Sequence, residues 1–174
     1  MNPDAARPRT RHQSRVAALY TPDQRRRRDS SRWTLVQGIL APLQFLVFLA
    51  SLALVARFLI TGEGLAAATA SVVVKTVALY TIMITGSLWE RDVFGQYLFA
   101  PAFFWEDVVS MAVIALHTAY LVALVGDWLA PRALMMLALA AYVTYVVNAA
   151  QFVIKLRQAR LGTRALNADL QAAT

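Results

Sequence analysis

The chain has 174 residues, 59% of them hydrophobic and 16% charged, with a mean hydropathy of +0.51, which is the composition of an integral membrane protein. Its net charge of +7 does not describe a nucleic-acid groove, because nine of the seventeen basic residues precede Trp33 and form an arm, and such an arm is explained by lipid attraction and membrane topology. With no cysteine, disulfides, thiolate metal sites and a cysteine nucleophile are all excluded.

Residues 1–32 are Arg-rich and aperiodic and lack the early apolar core of a secretory signal, so they read as a mostly disordered basic arm. Within the arm, Thr21-Pro22-Asp23-Gln24 has the form of a helix start, with Thr21 as cap and Pro22 at the first position. The first apolar run, Trp33 to Ile60, exceeds the roughly 20 residues that a spanning helix needs. Pro42 lies inside it and can kink it. Gln37, Gln44 and Ser51 recur every seven residues, share one face and should point at protein. Thr61-Gly62-Glu63-Gly64 then makes a tight outer turn.

A second span runs from Leu65 to Leu88 and carries Lys75, which should snorkel toward the outer interface. A third runs from Asp107 to Val125, where Glu106, Ser110 and His117 fall within about 40° of one another at 100° per residue. After a loop from Gly126 to Arg132, the fourth span covers Ala133 to Ile154, and Thr144, Asn148, Gln151 and Lys155 form a second polar stripe. The expected fold is all-α: an integral membrane four-helix bundle at 33–156, with the basic arm at 1–32 and a basic tail at 157–174. Lys155, Arg157, Arg160 and Arg164 at its end match the basic arm at its start, so both termini are expected on the cytoplasmic side.

The stretch Trp89 to Asp107 connects the second and third spans and sets four carboxylates among seven aromatic rings. Carboxyls beside apolar rings are poorly solvated, so Glu90 or Glu106 could stay protonated near neutral pH and act as a general acid. The competing reading is an interfacial hairpin with its Trp and Tyr rings at headgroup level and its acids in water. Gln37, Gln44, Asn148 and Gln151 lie in the same half of the bundle, which completes a polar, acid-bearing pocket opening at the cytoplasmic interface.

The blocks Gly86 to Asp107, Tyr20 to Arg25, Trp33 to Phe45 and Tyr145 to Phe152 closely resemble the vinyl bacteriochlorophyllide hydratases of phototrophic bacteria, and the resemblance runs from about Tyr20 to Leu161. It implies a hydro-lyase of bacteriochlorophyll synthesis in the cytoplasmic membrane, adding water to the 3-vinyl group of chlorophyllide a or a related bacteriochlorophyllide to give the 3-(1-hydroxyethyl) product. A tetrapyrrole substrate that brings its own magnesium, no added cofactor, and contact with lipid, a second copy or other pigment-synthesis enzymes follow from the same resemblance.

Chemistry then assigns the roles. Glu90 and Glu106 are the expected acid and base, with Asp92 and Asp107 in support, because vinyl hydration needs one group to protonate carbon and another to deprotonate water. Trp89, Tyr97, Phe104, Trp105, Gln37, Gln44, Asn148 and Gln151 are expected to line the substrate, and Lys155, Arg32 or Arg157 to meet its free propionate. His117 is a weak candidate for the substrate magnesium, since it lies about 16 Å along the helix from Glu106. A hydrogen bond between helices, with Tyr120 as one partner, is its plainer role. A carrier that binds a pigment or quinone without transforming it remains the alternative function, and the paired acids favour the enzyme.

Overall fold

The computed structural model describes residues 19–172, with side chains described as far as Leu161. Five helices follow in order: α1 (Pro22–Ser30), α2 (Arg32–Thr61), α3 (Leu65–Phe94), α4 (Phe104–Val125) and α5 (Pro131–Ala172). There is no strand among the described residues.

Local chemistry fixes the helix ends. Thr21 Oγ1 accepts from the Gln24 amide at 3.2 Å while Gln24 Oε1 accepts from the Thr21 amide at 2.9 Å, a reciprocal capping box with Pro22 in the first turn. Part of the arm expected to be disordered is therefore ordered. Tyr20 anchors it, buried against Phe94 and Phe103 with ring centroids 5.9 and 6.4 Å away. That burial pushes the Tyr20 phenol above its ordinary range, with Arg28 opposing the rise. Residues 1–18, the rest of the arm, lie outside the described residues.

Ser31 breaks α1 from α2 and caps the latter, its Oγ accepting from the Trp33 amide at 3.3 Å. α2 continues through Pro42 and stops at Gly62, and the outer turn places both Gly62 and Gly64 at positive φ, 78° and 82°. α3 runs past its expected end at Leu88 to Phe94, and α4 begins at Phe104 instead of Asp107. The acidic residues Glu90, Glu106 and Asp107 are thus held on helices. α5 likewise passes Ile154, because the residues after it are mostly good helix formers with no proline among them.

α2 packs along α3 and α4 along α5, while contacts of α2 with α5 and of α3 with α4 close the bundle. Its core holds Phe48, Val55, Val72, Leu79, Val113, Met135 and Tyr142. The outward faces remain apolar, with Leu35, Ile39, Ile60, Val74, Ile84 and Val143 exposed. Four helices, α2 to α5, are long and apolar enough to cross a membrane, and for them an apolar exterior is the favourable one. The four-span all-α expectation holds.

The polar stripes turn inward as their spacing required. Gln37 donates to Thr85 Oγ1 at 2.7 Å, and Ser51 shares hydrogen bonds with Ser71 at 2.7 Å and with the Tyr142 hydroxyl at 2.5 Å. Lys75 does not snorkel. Its side chain is fully buried, its Nζ has no hydrogen-bond partner, and it lies 3.7 Å from the centre of the Tyr145 ring. Residues flanking Lys75 on α3 direct its face into the bundle, among buried Val72, Thr76 and Leu79, so the outer interface is out of its reach.

Candidate active site

The last turns of α3 and the first turn of α4 bring two carboxyl groups together. Glu90 and Asp107 are 5% and 3% exposed and face each other within hydrogen-bonding reach. The short segment between the helices folds over them: the Phe99 amide donates to Asp107 Oδ2 at 2.7 Å and the Ala100 amide to Glu90 Oε2 at 3.2 Å. Phe99 takes φ +61° to do so, an unusual conformation for a residue with a side chain. Two ionised carboxylates this close repel, and a proton placed between them relieves that repulsion. On the neighbouring positions Trp89, Phe94 and Phe103 form an edge-to-face cluster with centroids 5.6 to 5.9 Å apart.

Glu106 is placed differently from the expected partnership with Glu90. Its Oε2 accepts from Lys155 Nζ of α5 at 2.6 Å, and the same ammonium donates to the Ala102 carbonyl. Asn148 donates to the Glu106 carbonyl at 2.9 Å and accepts from Ser110 at 3.2 Å. Adjacent positions on α4 thus divide the work of the two acids: Asp107 turns to α3 and Glu106 to α5, as the 100° step between neighbours allows. Asp92, exposed on α3, accepts from Ser31 Oγ at 2.8 Å. The solvated-hairpin reading is corrected for Glu90, Glu106 and Asp107, which are buried, and holds for Asp92 alone of the four.

The expected lining residues separate into groups. Trp89 is held in place by its indole N–H, which donates to Thr34 Oγ1 at 2.9 Å. Tyr97, Phe104 and Trp105 are exposed on the outer surface, with Arg91 over the Tyr97 ring and Trp105 edge-on to Phe104. Gln44 is buried deeper, its Oε1 without a partner, and Gln151 Oε1 is also unpaired. Lys155, expected to meet a substrate carboxylate, is already held by Glu106, while Arg157 is exposed.

His117 sits at mid-bundle. Its Nδ1 lies 2.8 Å from the Val113 carbonyl, which can only accept, so Nδ1 carries the proton and the buried Nε2 keeps an unpaired lone pair. Tyr142 packs against the imidazole at 5.9 Å, and Tyr120 is not its hydrogen-bond partner. Fully enclosed, the ring has no opening through which it could face a macrocycle at the helix ends. What the sequence did not reveal were the two loop amides of Phe99 and Ala100. Main-chain donors leave no mark on residue identity.

Residues 20–158 match the model of the 2-vinyl bacteriochlorophyllide hydratase family. A 2-vinyl bacteriochlorophyllide hydratase of Cereibacter sphaeroides is 68% identical over 148 residues, covering 84% of this chain and 91% of the relative. One from Rhodobacter capsulatus is 67% identical over 144 residues, covering 83% of this chain and 84% of the relative. No solved structure matches the chain.

Proposed function

The chain belongs to the 2-vinyl bacteriochlorophyllide hydratase family, and on that premise we propose that Glu90 and Asp107 are the acid and base that add water to the vinyl group of a chlorophyllide-type tetrapyrrole. The protein is a hydratase of bacteriochlorophyll biosynthesis and a multi-pass membrane protein. The single observation that carries the assignment is a buried carboxyl pair contributed by two helices, each carboxyl held by a loop amide.

In the proposed reaction the π electrons of the 3-vinyl group take the shared proton onto the terminal carbon. The carbon attached to the ring becomes cationic, stabilised by conjugation with the macrocycle. Water attacks that carbon through oxygen, and the carboxylate left by the first step accepts the proton that water releases. One water is added, the pair regains its proton, and no electron is exchanged, so the enzyme is a hydro-lyase that requires no redox cofactor. The magnesium arrives with the substrate. The loop amides of Phe99 and Ala100 hold one oxygen of each carboxyl, leaving the other to face its partner and the reacting atoms. Burial of both acids keeps bulk water from the cationic intermediate, so that the one water admitted with the substrate reacts at the ring-bound carbon.

Glu90→Gln and Asp107→Asn keep shape while removing the transferable proton, and each should lower turnover by about 10²–10⁴-fold, the usual contribution of a general acid or base, with pigment binding kept. In heavy water the parent enzyme should slow and place deuterium in the methyl group of the 3-(1-hydroxyethyl) product. Binding is read from pigment absorbance and turnover from a mass gain of one water. Near-parental rates in both variants would dismiss the pair. Binding without any hydration by the parent protein would favour the carrier reading.

A further inference from the structure

Where α1 meets α2, Arg27, Ser30, Ser31, Arg32 and Asp92 line a cavity of about 240 Å³. Its charges are not balanced. In α1 the neighbouring Arg26 pairs with Asp23 and Arg28 with Asp29, whereas among the described residues neither Arg27 nor Arg32 has a carboxylate partner. Asp92 supplies one negative charge, and its Oδ2 is taken by the Ser31 hydroxyl at 2.8 Å. Two guanidinium groups against one carboxylate leave the cavity with a net positive charge and a surplus of planar donors, the arrangement that favours a phosphate or carboxylate.

Position decides between these. α2, long and apolar enough to cross a membrane, begins at Arg32, which would set the cavity at headgroup depth. On α2 the positions Arg32, Leu35, Ile39, Leu43 and Leu46 are three, four, four and three apart and share one face. The four apolar residues on it are exposed, which makes a continuous apolar track leading from the cavity into the membrane. Asp92, by contrast, lies two residues from Glu90 on α3, about 200° around the helix at 100° per residue, so the cavity faces away from the acid pair. A phosphate with an attached acyl chain fits both halves of the surface. A substrate whose vinyl group is at Glu90 and Asp107 does not.

We propose that this cavity is a binding site for an anionic phospholipid, its phosphate held by Arg27 and Arg32 and one acyl chain lying along Leu35, Ile39 and Leu43. The lipid clamps α1 to the head of α2, and thereby the contact that Tyr20, just ahead of α1, makes with the end of α3.

The test is native mass spectrometry of the full-length protein released from membranes containing equal amounts of phosphatidylglycerol and phosphatidylcholine. Phosphatidylglycerol should be retained preferentially, and Arg27→Gln with Arg32→Gln should cut that retention about tenfold or more, as loss of charge-assisted hydrogen bonds implies. Arg27→Lys with Arg32→Lys should retain part of it, and Arg57→Gln, at the other end of α2, should change nothing. If the double glutamine variant does not fold, salt decides on the parent protein: phosphatidylglycerol retention should fall as ionic strength rises while that of phosphatidylcholine stays level. Equal retention of the two lipids, or unchanged retention in a folded double variant, overturns the proposal. So does displacement of the lipid by free-acid chlorophyllide together with a raised KM for that substrate alone, which would make the cavity a substrate-carboxylate site.

Discussion

At the scale of single residues, the neighbours Glu106 and Asp107 show how one step along a helix separates roles. Asp107 meets another carboxyl, and Glu106 meets an ammonium at 2.6 Å. Removing Lys155 would leave Glu106 buried without its counter-charge, a change that typically costs about 3–5 kcal/mol when both partners are fully buried. Lys155 is 24% exposed, which moves the expected loss to the lower end of that range. Lys155→Met should therefore lower Tm, and adding Glu106→Gln should restore most of it. Because the ammonium is occupied by Glu106 and the Ala102 carbonyl, Lys155→Met should alter the KM of the free acid and of an esterified substrate alike. A selective effect on the free acid would return Lys155 to the role of substrate anchor. Lys75 is the opposite case, since its Nζ is buried and without a hydrogen-bond acceptor, and an amine buried that way is destabilising whether it keeps its charge or gives up its proton. Lys75→Met keeps the length of the side chain and removes that cost, so it should raise Tm in detergent and leave hydration near the parental rate. Lost turnover in the stable variant would instead give Lys75 a catalytic role.

Among the elements, α1 is the one whose stability rests most on local chemistry. It buries no side chain of its own, and its start depends on the reciprocal bonds of Thr21 and Gln24. Thr21→Ala removes the cap, typically worth about 1 kcal/mol, and should increase amide hydrogen exchange across Pro22–Ser30 while leaving α3 and α4 protected. Equal loss of protection in all three would show that α1 is not an independent unit. This cap was legible in the sequence, as was the inward turn of Gln37, Gln44 and Ser51, because both follow from side-chain identity at fixed spacing. The pairing of Glu90 was not. Either Glu106 or Asp107 begins α4 close enough to meet α3, and the choice depends on the rotation of α4, which is set by the Phe99 and Ala100 amides and by Lys155 on α5. Snorkelling failed for Lys75 for a related reason: periodicity placed it on a face but did not say that the face was the inner one.

For the whole molecule, the four spans return the chain to the side from which it set out, so the start of α2, the acid pair between α3 and α4, and the end of the spanning part of α5 share one end of the bundle. Which side that is we propose from charge. Arg25 to Arg28 and Arg32 precede the first span, and Lys155, Arg157 and Arg160 lie at the end of the last, while the opposite end holds Arg57 and Arg132. An excess of Lys and Arg at span ends is typically retained in the cytoplasm, and on that ground we propose that both ends of the spanning region and the acid pair lie on the cytoplasmic side. Reporter fusions after Gly62 and after Pro131 should then report the outer face, and a fusion after Gly95 the cytoplasmic one. The same charges predict how the arrangement can be inverted. Replacing Arg25 to Arg28 by Gln and adding Lys beside Gly62 should shift a fraction of molecules to the reversed orientation, in which the Gly95 fusion reports outside. Those molecules should lose hydration of a pigment supplied from the cytoplasm even though the fold is intact. If the reversed fraction hydrates that pigment as well as the parent does, access to the acid pair does not depend on the cytoplasmic end of the bundle, and the vinyl group must enter from within the membrane.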